Sequence, residues 1–183
     1  MKAFWPGPLT LILKRAAHIP PDVAGGQDSI GLRCPSHPVA QALLRTFRQG
    51  KGGVAAPSAN RFGHVSPTMA QHVRDEFGAD ARLGMVLDGG QSEVGIESTI
   101  LDLSRVDSVG PVLLRPGKIS ASQISDVIGV LPKVPDAAAP RASGTLASHY
   151  APGTPVAIVR PERLLQTLEA LEQRHRKVAL LHF

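Results

Sequence analysis

The chain has 183 residues, 43% of them hydrophobic, which is enough for a packed core and too many for a disordered protein. Its formal net charge of +5 and pI of about 9.9 fit either a soluble surface with surplus arginines or an anionic partner, a nucleotide or RNA. One cysteine excludes an internal disulfide, and no apolar run reaches membrane-spanning length. The length suits one domain, or one domain and part of another. The start, MKAFWPGP, lacks the apolar segment and cleavage site of a signal peptide, so a cytoplasmic protein without membrane contact is expected.

In chain order, LTLILK (Leu9–Lys14) predicts a buried strand. SIGLRCP (Ser29–Pro35) alternates, with Ile30, Leu32 and Cys34 on one face and Gly31 and Arg33 on the other. A helix is expected next, with Val39, Leu43, Leu44 and Phe47 at helical spacing, Ser36 as N-cap and Gly50 as stop. GGVAAPS predicts a short strand leading into the loop VAAPSANRFGHVSPT. Ser66-Pro67 predicts an N-cap and first helical position, for a helix ending at Gly78. GMVLDGG, STILDLS and PVLLRPG predict three more strands, and Ser120 with Gln123 a capping box whose helix stops near Gly129.

The texture changes at residue 130. Residues 130–153 are rich in proline, alanine and serine, show no apolar periodicity, and predict a linker. TPVAIVR, PERLLQTLEALEQRHR and KVALLHF then predict strand, helix and strand, with Leu164, Leu165, Leu168 and Leu171 on the helix's buried face. The expected organisation is a first α/β domain over 1–129, a linker over 130–153, and the first βαβ unit of a truncated Rossmann-like domain over 154–183.

Some of these residues can carry chemistry. Arg33, late in an apolar alternating strand, either reaches solvent from an edge or meets a carboxylate or phosphate. Ser58, Asn60 and Ser66 are either turn and cap residues or donors lining a ligand. Gly89, Gly90 and Gly95 precede Ser98-Thr99, as a glycine-bearing hairpin or as backbone pressed against a ligand. Arg115 ends another strand and, like Arg33, is followed closely by a proline, so the two suggest one doubly anionic pocket. Cys34 reads as a small buried hydrophobe rather than a nucleophile. GxGxxG, GxxxxGK[ST], GxSxG and HExxH are all missing from the sequence, and the histidines show no metal-ligand spacing.

FWPGPLTLIL, GLRCPSHPVAQALL, AAPSANRFGHVSPT, GIESTILDLS and LLRPG closely resemble, in that order, the YrdC family of threonylcarbamoyl-adenylate synthases. The linker ending SHYAPGTPV resembles the family's longer, two-domain branch and argues against the related carbamoyl-transfer domain of hydrogenase maturation. The resemblance implies an open, twisted, mixed α/β sheet with flanking helices and a positively charged cavity. It implies an enzyme, a nucleotidyltransferase that makes threonylcarbamoyl-adenylate and pyrophosphate from L-threonine, bicarbonate and ATP, with Mg²⁺ accompanying the nucleotide. The product would feed tRNA modification. Arg33 would hold the threonine carboxylate, with Ala56 and Ser98 lining the threonine; Ser29, Ser58, Ser66 and Arg115 would contact ATP, and Tyr150 would reach the nucleotide from the linker. Family members also carry a segment before FWPGPLT with a lysine–arginine pair that grips ATP, so this chain is expected to be a piece of a two-domain synthase, poorly stable and weakly active alone. The competing expectation is a non-catalytic module that binds double-stranded RNA, for which the arginines are scattered rather than gathered on one face.

Overall fold

The structure is a computed structural model and describes residues 1–78, 80–144, 154–174 and 176–181. The chain divides into two compact units, Met1–Ala151 and Pro152–Phe183.

The first unit is built on four strands: β1 (Leu9–Lys14), β2 (Ser29–Arg33), β3 (Thr99–Asp102) and β4 (Val112–Arg115). Their order is β2-β1-β3-β4. β1 runs antiparallel to β2 and parallel to β3, and β4 returns antiparallel to β3 with an irregularity between Ile100 and Leu101. The central pair is apolar on both faces, which demands cover on both. On one face Leu9, Leu11 and Leu101 pack with Ile119, Ile124, Trp5 and Leu113. On the other, Ile12 and Ile100 pack with Val112, Leu114, Ala139 and Ala142.

Helix α1 (Pro38–Thr46) follows β2, and α2 (Ala70–Phe77) follows the long loop. Helix α3 (Ala121–Ile128) carries the expected capping box: Gln123 N–H donates to Ser120 Oγ at 3.1 Å, and Ser120 N–H donates to Gln123 Oε1 at 2.9 Å. It ends at Gly129, whose φ of 76° only glycine adopts readily. Two other caps differ from expectation. His37, not Ser36, flanks α1, and α2 starts after Met69, so Ser66 caps nothing.

GGVAAPS and GMVLDGG form no strand. Val54, Met85 and Leu87 are exposed, and neither run has a ladder partner. An apolar run becomes a strand only where a neighbour offers backbone groups and cover, a condition that local sequence does not carry.

The first half of the predicted linker is fastened to the sheet. Val112 bridges to Lys133, Arg105 grips Asp136 through two hydrogen bonds of 3.0 and 3.2 Å, and Ala139 and Ala142 pack on the second cluster. Arg141 N–H donates to Gln27 Oε1 at 2.8 Å. The alanines that removed any periodicity are what let the backbone lie close to the sheet.

The second unit contains helix α4 (Leu164–Gln173), as expected, with Leu164, Leu168 and Leu171 half-buried but Leu165 exposed. The flanking segments 154–160 and 176–181 carry no strand, and Val156 and Ile158 are exposed. Two parallel strands alone are too little sheet to hold together, so the expected βαβ unit shows only its helix among the described residues. No described helix is long and apolar enough to cross a membrane.

Candidate functional site

Strand register places the predicted residues. Thr10 on β1 stands opposite Arg33 on β2, Ile12 opposite Gly31, and Lys14 opposite Ser29. Opposed residues of a ladder share a face, so Ser29, Gly31 and Arg33 line up with Thr10 and Ile12. Gly31 keeps this surface low: a Cβ there would lie 3.2 Å from Ile12 Cδ1 and 3.5 Å from Thr10 Cγ2. Arg33 is exposed and makes no hydrogen bond or ion pair among the described residues. Ser29 is buried at the start of β2.

Ser98, just before β3, brings the third strand in. Its Oγ lies 2.8 Å from Thr10 Oγ1, and both it and its carbonyl accept from Arg115. Arg115 is 8% exposed at the end of β4. Its Nε and Nη2 donate to the Ser98 carbonyl at 3.1 and 2.8 Å, and Nη1 donates to the Ser143 carbonyl at 2.8 Å. The guanidinium thus ties the strand end to the fastened linker. Its charge is met by Glu97, with Nη2 3.6 Å from Oε2.

The long loop joins the cluster through Ser66, whose hydroxyl donates to Glu97 Oε1. The loop is itself braced on α2. Glu76 Oε1 accepts from the Arg61 backbone N–H and contacts His64 Nδ1, each at 2.8 Å, and Asn60 Nδ2 donates to the Arg61 and His64 carbonyls. Arg61 also stacks over Phe77, 5.6 Å from the ring centroid. Ala56 and Ser58 are exposed on this loop and make none of these bonds.

Ser66, Ser98 and Arg115 therefore meet in one cluster, with Arg33 and Ser29 on the same sheet face, whereas Ala56 and Ser58 stay apart on the loop surface. Tyr150 lies outside the described residues. Sequence reading missed Thr10 and Glu97. Thr10 could have been found as the one hydroxyl inside LTLILK; Glu97 had only its place beside Ser98-Thr99. Cys34 is half-buried, with Gln41 Nε2 3.6 Å from its sulfur. Among the described residues no three His, Cys, Asp or Glu side chains could hold a metal ion.

The arrangement suits binding more than proton transfer. It offers two arginines, several hydroxyls and exposed loop backbone, the equipment for a polar, multiply charged ligand.

Comparison with known proteins identifies relatives along the whole chain. Residues 119–183 match the C-terminal domain of threonylcarbamoyl-AMP synthase. Threonylcarbamoyl-AMP synthase of Bacillus subtilis (strain 168) is 40% identical over 99% of this chain and 52% of its own length. The enzyme of the same name from Pyrococcus abyssi (strain GE5 / Orsay) is 39% identical over 88% of this chain and 47% of its own. The chain thus spans about half the length of these curated relatives. The crystal structure of P. abyssi Sua5 complexed with L-threonine superposes with a TM-score of 0.69 at 34% identity, covering 95% of this chain and 51% of that one. Residues 1–117 match the Sua5/YciO/YrdC model, described as telomere recombination, and with over half of its length so matched the chain belongs to that family.

Proposed function

We propose that this chain forms the substrate-binding part of a threonylcarbamoyl-AMP synthase, a nucleotidyltransferase that condenses L-threonine, bicarbonate and ATP into threonylcarbamoyl-AMP, pyrophosphate and water. The observation that carries the reading is the cluster Thr10, Arg33, Ser98 and Arg115, where the four strands meet on one sheet face. A solved relative that holds L-threonine covers 95% of this chain.

In this reading Arg33, exposed and unengaged among the described residues, takes the threonine carboxylate in a two-pronged grip. Ser98 and Ala56 border the threonine. Ser29, Ser66 and Arg115 face the nucleotide; Ala56 and Ser58 join the site when the loop moves onto the sheet face, and Tyr150 is the further nucleotide contact that the family resemblance implies. The threonine amine attacks the bicarbonate carbon and water leaves, and the carbamate oxygen then attacks the α-phosphate as pyrophosphate leaves. These steps need orientation and neutralised charge more than a protein nucleophile, which fits a cluster of arginines and hydroxyls. Mg²⁺ enters with ATP, held by its phosphates and water. The product serves tRNA modification in the cytoplasm, and the +5 charge favours weak, salt-sensitive contact with RNA.

Calorimetric titration of the 183-residue chain with ATP, with and without L-threonine, tests this. ATP binding strengthened by threonine, with the strengthening lost in Arg33→Ala, is the expected result. A folded chain that binds neither ligand would remove the proposal.

A further inference from the structure

Arg115 and Ser66, the two residues read as facing the nucleotide that belong to the cluster, share a partner. Glu97 presents one carboxylate oxygen to the Ser66 hydroxyl and the other to Arg115 Nη2 at 3.6 Å. Its side chain is 24% exposed, that of Arg115 9%. Arg115 also donates to neutral groups, the Ser98 carbonyl and hydroxyl and the Ser143 carbonyl, at 2.8 to 3.1 Å. Beside these the Glu97 contact is longer and charged, and a side-chain rotation can break it. A carboxylate offers an arginine and a hydroxyl the same paired acceptors as a phosphoryl group.

From this geometry we infer that Glu97 is an internal stand-in for a ligand phosphate, a positioning residue that holds Ser66 and Arg115 for a polyphosphate and is displaced when one binds. The inference rests on the reading that Ser66 and Arg115 face a nucleotide. It gives Glu97 a consequence for affinity. An entering anion must outcompete a carboxylate already in place, and that exchange weakens every anion that makes it by the same factor.

The test uses the full chain and inorganic tripolyphosphate, which carries the charge without nucleoside or threonine. Glu97→Gln keeps an oxygen for Ser66 but removes the competing charge. It should bind tripolyphosphate about fivefold more tightly than the parent, the factor set by giving up one partly exposed ion pair. Orthophosphate, where it reaches the same two partners, should gain by the same factor. Glu97→Asp, with its carboxylate drawn back from both partners, should also bind more tightly, which keeps the test open if Glu97→Gln does not fold. A purely structural Glu97 predicts the opposite sign, weaker binding in both variants. Unchanged or weakened binding, or no tripolyphosphate binding by any form, overturns the inference. Tighter tripolyphosphate binding with no ATP and threonine response would leave it standing and remove the proposed synthase instead.

Discussion

The hydroxyls of Thr10 and Ser98 lie 2.8 Å apart although 88 residues separate them in the chain. The parallel pairing of β1 with β3 creates this contact, and Arg115 then closes on Ser98 from β4. The site exists only when the sheet does. Thr10→Val keeps the shape of the side chain but removes the hydroxyl. It should cost about 1 kcal/mol in urea denaturation, the usual worth of one such bond, and should weaken the threonine effect on ATP binding in calorimetry.

Arg33 should behave in the reverse way. It is exposed and makes no bond among the described residues, so Arg33→Ala should shift stability by no more than about 0.5 kcal/mol. The same variant should lose the threonine response. Arg33→Lys should restore little of it, because a single ammonium cannot reproduce a two-pronged hold on a carboxylate. Paired thermal melts and titrations read both quantities.

Gly117 lies where backbone presses on the site. A Cβ there would sit 2.5 Å from the Thr99 amide nitrogen and 2.7 Å from the Glu97 carbonyl oxygen. Thr99 is fully buried and bonded through Oγ1 to both backbone groups of Ile119, so it has nowhere to move. Gly117→Ala should destabilise by about 1–3 kcal/mol and disturb ATP binding as well. Gly89→Ala is the control. There the Cβ would meet the His37 ring at 2.6 Å, and a side chain can turn aside, so its cost in the same denaturation series should be clearly smaller.

The fastened segment should respond to acid. The Arg105 guanidinium holds the Asp136 carboxyl below its ordinary value of 3.8. A carboxyl depressed in the folded state stabilises above its unfolded pKa, and the contribution is lost as pH falls through the lower folded value. Amide protection factors of residues 133–144, corrected for the intrinsic pH dependence of exchange, should therefore hold above about pH 5 and fall below the ordinary value, ahead of the sheet. Asp136→Asn should show faster exchange at neutral pH already.

Much of the first unit could be read directly. Leu9–Lys14 forms its strand over the predicted residues, and Ser120 with Gln123 forms the predicted box, because both signals are local: a short apolar run in one case, a three-residue spacing in the other. Arg33, Ser98 and Arg115 were legible as polar or charged residues at the ends of apolar strands. Glu97 was not, because Ser66 is 31 residues away and nothing in the sequence says that the two meet. Ser66 itself was read through its proline as a cap, yet its hydroxyl bonds to Glu97 rather than to a helix end. Residues 133–144 read as linker because alanine and proline carry no pattern, although small size was what fitted them to the sheet. VAAPS and GMVLDGG erred the other way, with strand-like composition and no partner strand.

Trp5 is the chain's one tryptophan. Its indole N–H donates to the Leu9 carbonyl at 2.7 Å, and its ring packs with Leu9, Leu11 and Leu101, on the side of β1 away from Thr10 and Arg33. The protein therefore carries a single fluorophore that watches the back of the sheet. Denaturation must change its emission, whereas a ligand arriving on the front has no direct contact with it. The two events can be followed in one cuvette without confusion: a spectral shift reports loss of the scaffold, and heat without a shift reports occupancy.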